Sequence, residues 1–178
     1  MLYTYLGPIF YILFTLRFLT IFISAKNEKK LFRLGSIEFG KRNSLFLVIA
    51  HFTYYAACLT EGYIKSAFYH DSIALTGFFI YVFSILMLYY VIYSIRHIWT
   101  VKLIIAPEEY HKINSSWLFR VFKHPNYFLN ILPELIGLAI LFHAWFTLII
   151  GLPVYLIPLY KRIRLEEKIM HQYFVDYK

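Results

Sequence analysis

Charged residues and cysteine are scarce in this 178-residue sequence. Only 16% of the residues are charged whereas 60% are hydrophobic, which excludes an ordinary soluble globular domain. The one cysteine, Cys58, lies inside an apolar block, so there is no disulfide framework and we interpret Cys58 as a small packing residue. No Gly-rich phosphate loop follows a strand pattern. The seven histidines show no pair spaced three or four residues apart and no cysteine cluster accompanies them, so we expect no metal site.

Long apolar blocks are what the sequence has instead. A block of about 20 apolar residues is long enough to cross a bilayer as a helix. The blocks predict an all-α integral membrane protein with five transmembrane helices, forming a single domain over residues 1–178. The predicted spans are about 3–23, 44–59, 73–95, 127–142 and 145–160. The N-terminus has no basic region before its apolar run, which indicates a retained span rather than a cleaved signal peptide.

The last two spans come from one apolar block, residues 127–160, that is too long for a single crossing. A helix of this length would extend roughly 50 Å, against a hydrocarbon core of about 30 Å. We therefore expect the block to fold back near His143–Trp145 as a helical hairpin.

The net charge of +8 comes from lysines and arginines that concentrate in three connections. These are the loop after span one, the long segment 96–126 and the amphipathic tail 161–178. Because cytoplasmic loops carry an excess of basic residues, the pattern predicts an external N-terminus and a cytoplasmic C-terminus. Membrane orientation accounts for the basic residues, so no nucleic-acid partner is expected.

Two polar stretches flank the predicted hairpin. The hairpin returns the chain to the side it left, so "KHPNY" (123–127) at its entrance and "RIRLEE" (162–167) at its exit are expected to meet at the cytoplasmic interface. Each stretch also has a purely local explanation. Asn126 can cap the helix that follows Pro125, and Arg162 can pair with Glu166 one turn later.

Glu134 lies about two turns into span four, where an ionised carboxylate costs several kcal/mol unless it is paired or hydrated. Pro133 frees a backbone carbonyl one turn earlier, so polar groups are expected to cluster there. We therefore treat Glu134 as a candidate catalytic residue. Arg17 in span one is a possible partner, although snorkelling of its long side chain is the simpler interpretation.

A resemblance becomes visible when these stretches are taken together. The stretch "HKINSSWLFRVFKHPNYF" (111–128), followed by a hairpin and then by "RIRLEEKIMHQYF" (162–174), resembles the isoprenylcysteine carboxyl methyltransferase family and its bacterial relatives. The resemblance covers roughly residues 97–178. It implies S-adenosylmethionine (SAM) as the cofactor, held in a pocket that the hairpin forms with the preceding cytoplasmic loop.

The resemblance also assigns roles to individual residues. It implies that SAM is lined by the loop, the hairpin entrance and one glutamate of the tail, at His111, Lys112, Ile113, Asn114, Phe119, His124, Pro125, Asn126, Tyr127 and Glu166. Arg162, the second candidate catalytic residue, matches an arginine that faces the methyl acceptor. For the general base, His124, Glu134 and Tyr127 all remain candidates, and an ionised acceptor would need none.

Several positions depart from the family pattern and leave the acceptor open. Lys123 stands where an arginine usually precedes His-Pro, Trp117 replaces a glycine, and Phe128 and Leu129 follow the tyrosine where a glycine is common. Eukaryotic members act on prenylcysteine, whereas bacterial relatives are associated with hydroxyl groups of long-chain alkylpyrone or alkylresorcinol lipids. We expect a lipophilic small-molecule acceptor, methylated on oxygen among the membrane lipids of a bacterial plasma membrane.

Two other functions fit the same pattern. Membrane reductases of the steroid-reductase type have a similar C-terminal hairpin and would use NADPH in place of SAM. A non-catalytic membrane scaffold or lipid-binding protein would use none of the polar residues for chemistry, so replacing His124, Tyr127 or Glu166 would leave its function intact.

Overall fold

The computed structural model describes residues 2–65, 71–107 and 117–173. Its elements, in chain order, are α1 (Leu2–Arg33), β1 (Ile37–Phe39), α2 (Lys41–Ile64), α3 (Ser72–Ser94), β2 (Leu103–Ile105), α4 (Trp117–Val121), a π-helical turn (Asn126–Ile131) that continues into α5 (Leu132–Leu141), and a second π-helical turn (Thr147–Gly151) that continues into α6 (Leu152–Tyr173). Within the described ranges, three helices are long and apolar enough to cross a membrane: α1 from Leu6 onward, α2 and α3. The chain is a helical membrane protein.

Helix α1 continues to Arg33, well beyond residue 23, where span one was predicted to end. The extension contains three lysines, which are good helix formers, and Lys30 and Arg33 in its last turn complement the helix dipole. The extension reaches the loop before β2, because the backbone N–H of Val101 donates to Ser24 Oγ at 2.9 Å. The predicted loop after span one is therefore shorter than expected.

A small antiparallel ribbon corrects the expectation that the chain is helical throughout. Strand β1 pairs with β2 in the register Ile37 to Ile105 and Phe39 to Leu103. Gly35 and Gly40, both at positive φ, lie on either side of β1, where α1 ends and α2 begins. The ribbon pairs the segment that follows α1 with the segment that follows α3.

Helix α3 and helix α5 pack backbone against backbone. A Cβ atom placed on Gly137 would lie 2.7 Å from the backbone nitrogen of Tyr81, and one placed on Gly77 would lie 2.8 Å from the carbonyl oxygen of Gly137. Such small residues let membrane helices approach closely. The contact fixes the position of α5, on which the candidate site is built.

The chain reverses between α5 and α6, where a hairpin was predicted. His143 adopts φ +51°, and helical structure resumes at Thr147. The carboxylate of Glu61 in α2 accepts from the backbone N–H groups of Phe146 and Thr147 at 3.1 and 3.0 Å. It thereby satisfies the free donors at this helix start, which carries a partial positive charge.

Each π-helical turn comes shortly before a proline. The first ends at Ile131 and is followed by Pro133, and the second ends at Gly151 and is followed by Pro153. Proline has no backbone N–H and its ring collides with the carbonyl group four residues earlier, so a widened turn before it relieves both problems. Such turns are frequent at functional sites, and the first of them contains Tyr127.

Candidate functional site

The structure brings the two predicted polar stretches together at the open end of the hairpin. The hydroxyl of Tyr127 donates to the carboxylate of Glu166. The Nδ1 atom of His124 lies 3.3 Å from Glu166 Oε1, and its Nε2 atom lies 3.5 Å from Glu167 Oε1. Lys123 Nζ lies 3.5 Å from the same oxygen of Glu167. We call His124, Tyr127 and Glu166 the outer cluster.

Arg162 connects the outer cluster to two other parts of the fold. Its guanidinium donates to Tyr127 Oη at 3.2 Å, to Ser44 Oγ of α2 at 2.7 Å and to the carbonyl oxygen of Val101 at 3.2 Å. Its Nε atom also lies 3.9 Å from Glu166, the pairing expected one turn apart. Arg162 is only 4% exposed and donates to protein acceptors through each of its nitrogens. That it faces the methyl acceptor stays a prediction.

The outer cluster favours the charged forms of His124 and Glu166. Burial lowers the pKa of His124, but hydrogen bonds and charge from Glu166 and Glu167 outweigh burial and raise that pKa above its ordinary value. Burial raises the pKa of Glu166, and this is outweighed by the hydrogen bond from His124, the charge of Arg162 and the hydrogen bond from Tyr127, so the net shift is downward. Glu166 is therefore an ionised carboxylate near neutral pH.

The raised pKa of His124 predicts a specific pH dependence of stability. Its stabilising contribution is complete below the ordinary pKa of about 6.5 and is lost as the pH rises through the higher folded-state pKa. The apparent unfolding temperature of the purified protein should therefore decline as the pH rises above about 6.5 and through the higher folded-state pKa of His124. His124→Gln should remove this decline, whereas His171→Gln, at an exposed position of α6, should retain it. An identical decline in His124→Gln would contradict the assignment.

The other residues predicted to line SAM lie in different surroundings. Asn126 does not cap the following helix, since its side-chain oxygen accepts from Asn130 Nδ2 at 3.1 Å and Pro125 occupies the cap position. Phe119 is partly buried and packs in a small apolar cluster with Leu118. His111, Lys112, Ile113 and Asn114 lie outside the described residues.

Glu134 belongs to a second polar group, two turns deeper than Tyr127 on the same helix. Its side chain is fully buried, and its Oε1 atom lies 2.6 Å from Arg17 Nε and accepts from the hydroxyl of Tyr55. His51 Nε2 lies 3.4 Å from the same oxygen. The interpretation that Arg17 snorkels is wrong, because a carboxylate within reach offers the guanidinium a partner at membrane depth. We call Arg17, His51, Tyr55 and Glu134 the inner cluster.

The two clusters follow a common spacing on three helices. On each helix, two polar residues seven positions apart lie one at the level of the outer cluster and one at the level of the inner cluster, and we call these levels the outer and inner layers. The pairs are Ser44 and His51 on α2, Tyr127 in the π-helical turn with Glu134 in α5, and Arg162 and Tyr155 on α6. Tyr155 joins the inner layer through a contact of 3.2 Å between its hydroxyl and His51 Nδ1. Seven residues are nearly two full turns, so each helix presents both members on the same side, about 10 Å apart. Sequence reasoning missed His51, although this polar spacing within an apolar block could have revealed it.

A cavity of about 520 Å³ lies between α1 and α2. Arg17, His51 and Tyr155 line its inner end, and Asn126 and Asn130 line its wall. Its opposite end carries four charged side chains, which are Glu28, Glu38, Lys41 and Lys102. Helix α1 packs on α3 and α2 packs on α6, so the cavity separates α1 from α2. Among the predicted site residues that the structure describes, Asn126 alone lines it.

Comparison with known proteins places the chain in a family. The model of the isoprenylcysteine carboxyl methyltransferase (ICMT) family matches residues 75–172, more than half of the chain. An uncharacterized protein of Haemophilus influenzae is 47% identical over 159 residues, which cover 89% of this chain and 91% of that protein. The uncharacterized protein YpbQ of Bacillus subtilis is 26% identical over 156 residues, covering 86% of this chain and 89% of its own. No solved structure matches significantly. The protein belongs to the isoprenylcysteine carboxyl methyltransferase family of membrane methyltransferases.

Proposed function

We propose that the protein transfers a methyl group from SAM to an oxygen atom of a lipophilic acceptor at the membrane interface. The observation that carries this proposal is the hydrogen bond between Tyr127 and Glu166, which joins the two ends of the hairpin beside His124. These residues stand 39 positions apart in sequence, and they match the cofactor positions that the family resemblance implies.

The outer cluster suits the charge of SAM, which carries an ammonium and a sulfonium group. The side chain of Glu166 is 26% exposed, so its carboxylate remains accessible beside the hydroxyl of Tyr127. Carboxylates and aromatic faces both stabilise cations. We assign Glu166, Tyr127, His124 and Phe119 to holding the cofactor, together with the segment 111–114. When bound, SAM would supply a methyl group whose carbon a nucleophilic oxygen can attack directly, with the sulfur leaving as a neutral thioether.

The cavity between α1 and α2 suits the acceptor. Arg162 donates to Ser44 and to Val101, both of which line the cavity, and on its other side to Tyr127. Arg162 thus stands between the cavity and the outer cluster, where it can orient an acceptor oxygen toward the cofactor side. Such positioning supplies much of the acceleration in a direct displacement. Glu134 does not line the cavity, but it contacts Arg17 and His51, which do. Its effect on an acceptor in the cavity would pass through these two residues.

We propose that five spans cross a bacterial plasma membrane, with α5 and α6 as the fourth and fifth. The C-terminal end of α1 carries Lys30 and Arg33. It lies on the side of the outer cluster, since Glu28 pairs with Lys102 at 2.9 Å and the preceding Val101 contacts Arg162. Basic residues at this end support a cytoplasmic location, from which SAM would enter, with the N-terminus outside.

A methyl-transfer assay tests the function directly. Purified protein in lipid nanodiscs should transfer isotope-labelled methyl from SAM to an organic-soluble lipid, which mass spectrometry would detect as a gain of one methylene mass. Replacing SAM with NADPH should give no modified lipid. A membrane reductase would instead modify the lipid with NADPH and leave it unchanged with SAM. Absence of labelled lipid with folded protein, over an acceptor set that includes phenolic lipids and prenylcysteine, would contradict the proposal and favour a non-catalytic lipid-binding protein.

A further inference from the structure

The extension of α1 beyond residue 23 carries four basic residues on one of its faces. They are Lys26, Lys29, Lys30 and Arg33, which we call the basic stripe, and all four side chains are exposed. Their spacing of three, four and seven residues places them on one side of a helix. None of the four forms an ion pair with a residue that the structure describes. The basic stripe therefore presents four positive charges that no described carboxylate balances.

The basic stripe continues the lipid-facing side of the same helix. Phe22 lies one turn before Lys26 and is 72% exposed, and Leu19 lies one further turn back and is 45% exposed. Helix α1 runs unbroken through these positions to Arg33. At a rise of about 1.5 Å per residue, Lys26 and Lys30 stand about 5 Å and about 10 Å beyond residue 23, where the apolar run ends. The head-group layer of one leaflet is about 5–7 Å thick, and lysine side chains can bend toward it, so the basic stripe lies at head-group level.

The opposite face of the extension is held by the connection 96–102. The Nδ2 atom of Asn27 donates to the carbonyl oxygen of Trp99 at 2.8 Å, and Glu28 pairs with Lys102 Nζ at 2.9 Å. These two contacts, on the side of the helix opposite the basic stripe, fix the rotation of the extension about its own axis. The basic stripe therefore faces away from the protein and toward the head groups of the surrounding lipids.

We propose that the basic stripe binds anionic phospholipids in the leaflet on the side of the outer cluster. Lysine and arginine donate to phosphate oxygens, and each basic residue near an anionic membrane surface strengthens binding by about fivefold. Phe22 favours a lipid over an acidic protein as the partner, because one lipid molecule supplies both an acyl chain beside Phe22 and a phosphate beside Lys26. The inference goes beyond the proposed function and does not depend on it.

The basic stripe is connected to the outer cluster through the same segment of chain. The connection 96–102 supplies the carbonyl oxygen of Val101, which accepts from Arg162 at 3.2 Å, and Ser24 of the extension accepts from the N–H of Val101 at 2.9 Å. A lipid bound to the basic stripe therefore stabilises the segment that orients Arg162. In nanodiscs, exchanging phosphatidylcholine for phosphatidylglycerol should raise the apparent unfolding temperature of the unmodified chain. Equal unfolding temperatures in the two lipids would reject this connection.

Native mass spectrometry of the purified full chain tests the lipid preference directly. Protein in detergent would be titrated with phosphatidylglycerol and, separately, with phosphatidylcholine of identical acyl chains, and the dissociation constants of the first bound lipid would be compared. We expect phosphatidylglycerol to bind at least about 10-fold more tightly. The triple variant Lys26→Gln, Lys29→Gln, Lys30→Gln should bring the two lipids within about threefold of each other. Glutamine is a good helix former and the three positions are exposed, so we expect the variant to fold.

The matched control removes three exposed charges from α6 at the same side of the membrane. Its substitutions are Lys161→Gln, Arg164→Gln and Lys168→Gln, which lower the net charge by the same amount. We expect this variant to keep the preference for phosphatidylglycerol within about twofold, because Glu166 and Glu167 already offset the positive charge of this segment. Equal losses in the two triple variants would indicate attraction to net charge alone and would overturn the inference. A preference that survives in the stripe variant, or no preference in the unmodified folded chain, would overturn it as well.

Discussion

Replacing Glu166 with alanine should weaken SAM binding by about 30-fold or more. The change removes the carboxylate that accepts from Tyr127 and pairs with His124 and Arg162, and leaves two buried cations with one neighbouring anion fewer. Truncating one member of a hydrogen-bonded charge cluster costs about 2–5 kcal/mol, and 1.4 kcal/mol corresponds to a factor of ten in affinity. Binding of radiolabelled SAM to protein in nanodiscs would measure the loss.

Glu167→Gln provides the matched control for this experiment. Glu167 lies one residue further along the same helix and contacts His124 and Lys123, each at 3.5 Å. We expect this variant to retain SAM affinity within about fivefold, because exposed ion pairs contribute at most about 1 kcal/mol. Equal losses in Glu166→Ala and Glu167→Gln would show a general charge effect and would contradict a specific role for Glu166.

Replacing Glu134 with glutamine should destabilise the protein by about 3–5 kcal/mol. The substitution preserves the size of the side chain but leaves the guanidinium of Arg17 without its anion, and breaking a buried pair from one side carries a cost of this size. The free energy of unfolding in detergent, measured by denaturant titration with the single and double variants side by side, would report it.

The double variant Arg17→Met with Glu134→Gln distinguishes a structural pair from a general loss of packing. Removing both charges should restore most of the lost stability, since apolar replacements of buried ion pairs are often close to neutral. The glutamine oxygen also remains available to the hydroxyl of Tyr55. Additive losses in the double variant would mean that Arg17 and Glu134 do not depend on each other.

The features predictable from the sequence are those that short-range rules determine. The block 127–160 had to fold back because it exceeds the thickness of a bilayer, and the chain does reverse at His143. Once the hairpin is accepted, the contact between Tyr127 and Glu166 follows, because antiparallel neighbours bring the ends of a hairpin together. The length of this apolar block and the rise per residue of a helix were sufficient to predict this part of the site.

The features that escaped prediction depend on tertiary contacts between distant segments. From the sequence, Arg17 is a possible partner of Glu134 but not the favoured interpretation, because the two residues are 117 positions apart and nothing local shows that α1 approaches α5. The strands of the ribbon are three residues each, too short for an alternating pattern to stand out. The cavity arises from the separation of α1 and α2, which depends on how both pack against other helices.

The most direct test of the central claim is a structure of the protein with the demethylated form of SAM bound. We predict that the amino-acid portion of this ligand lies within hydrogen-bond distance of the outer cluster, beside Glu166 and Tyr127. The cavity between α1 and α2 then remains free for the acceptor. A ligand found inside that cavity against Arg17 and His51, with the outer cluster untouched, would contradict it.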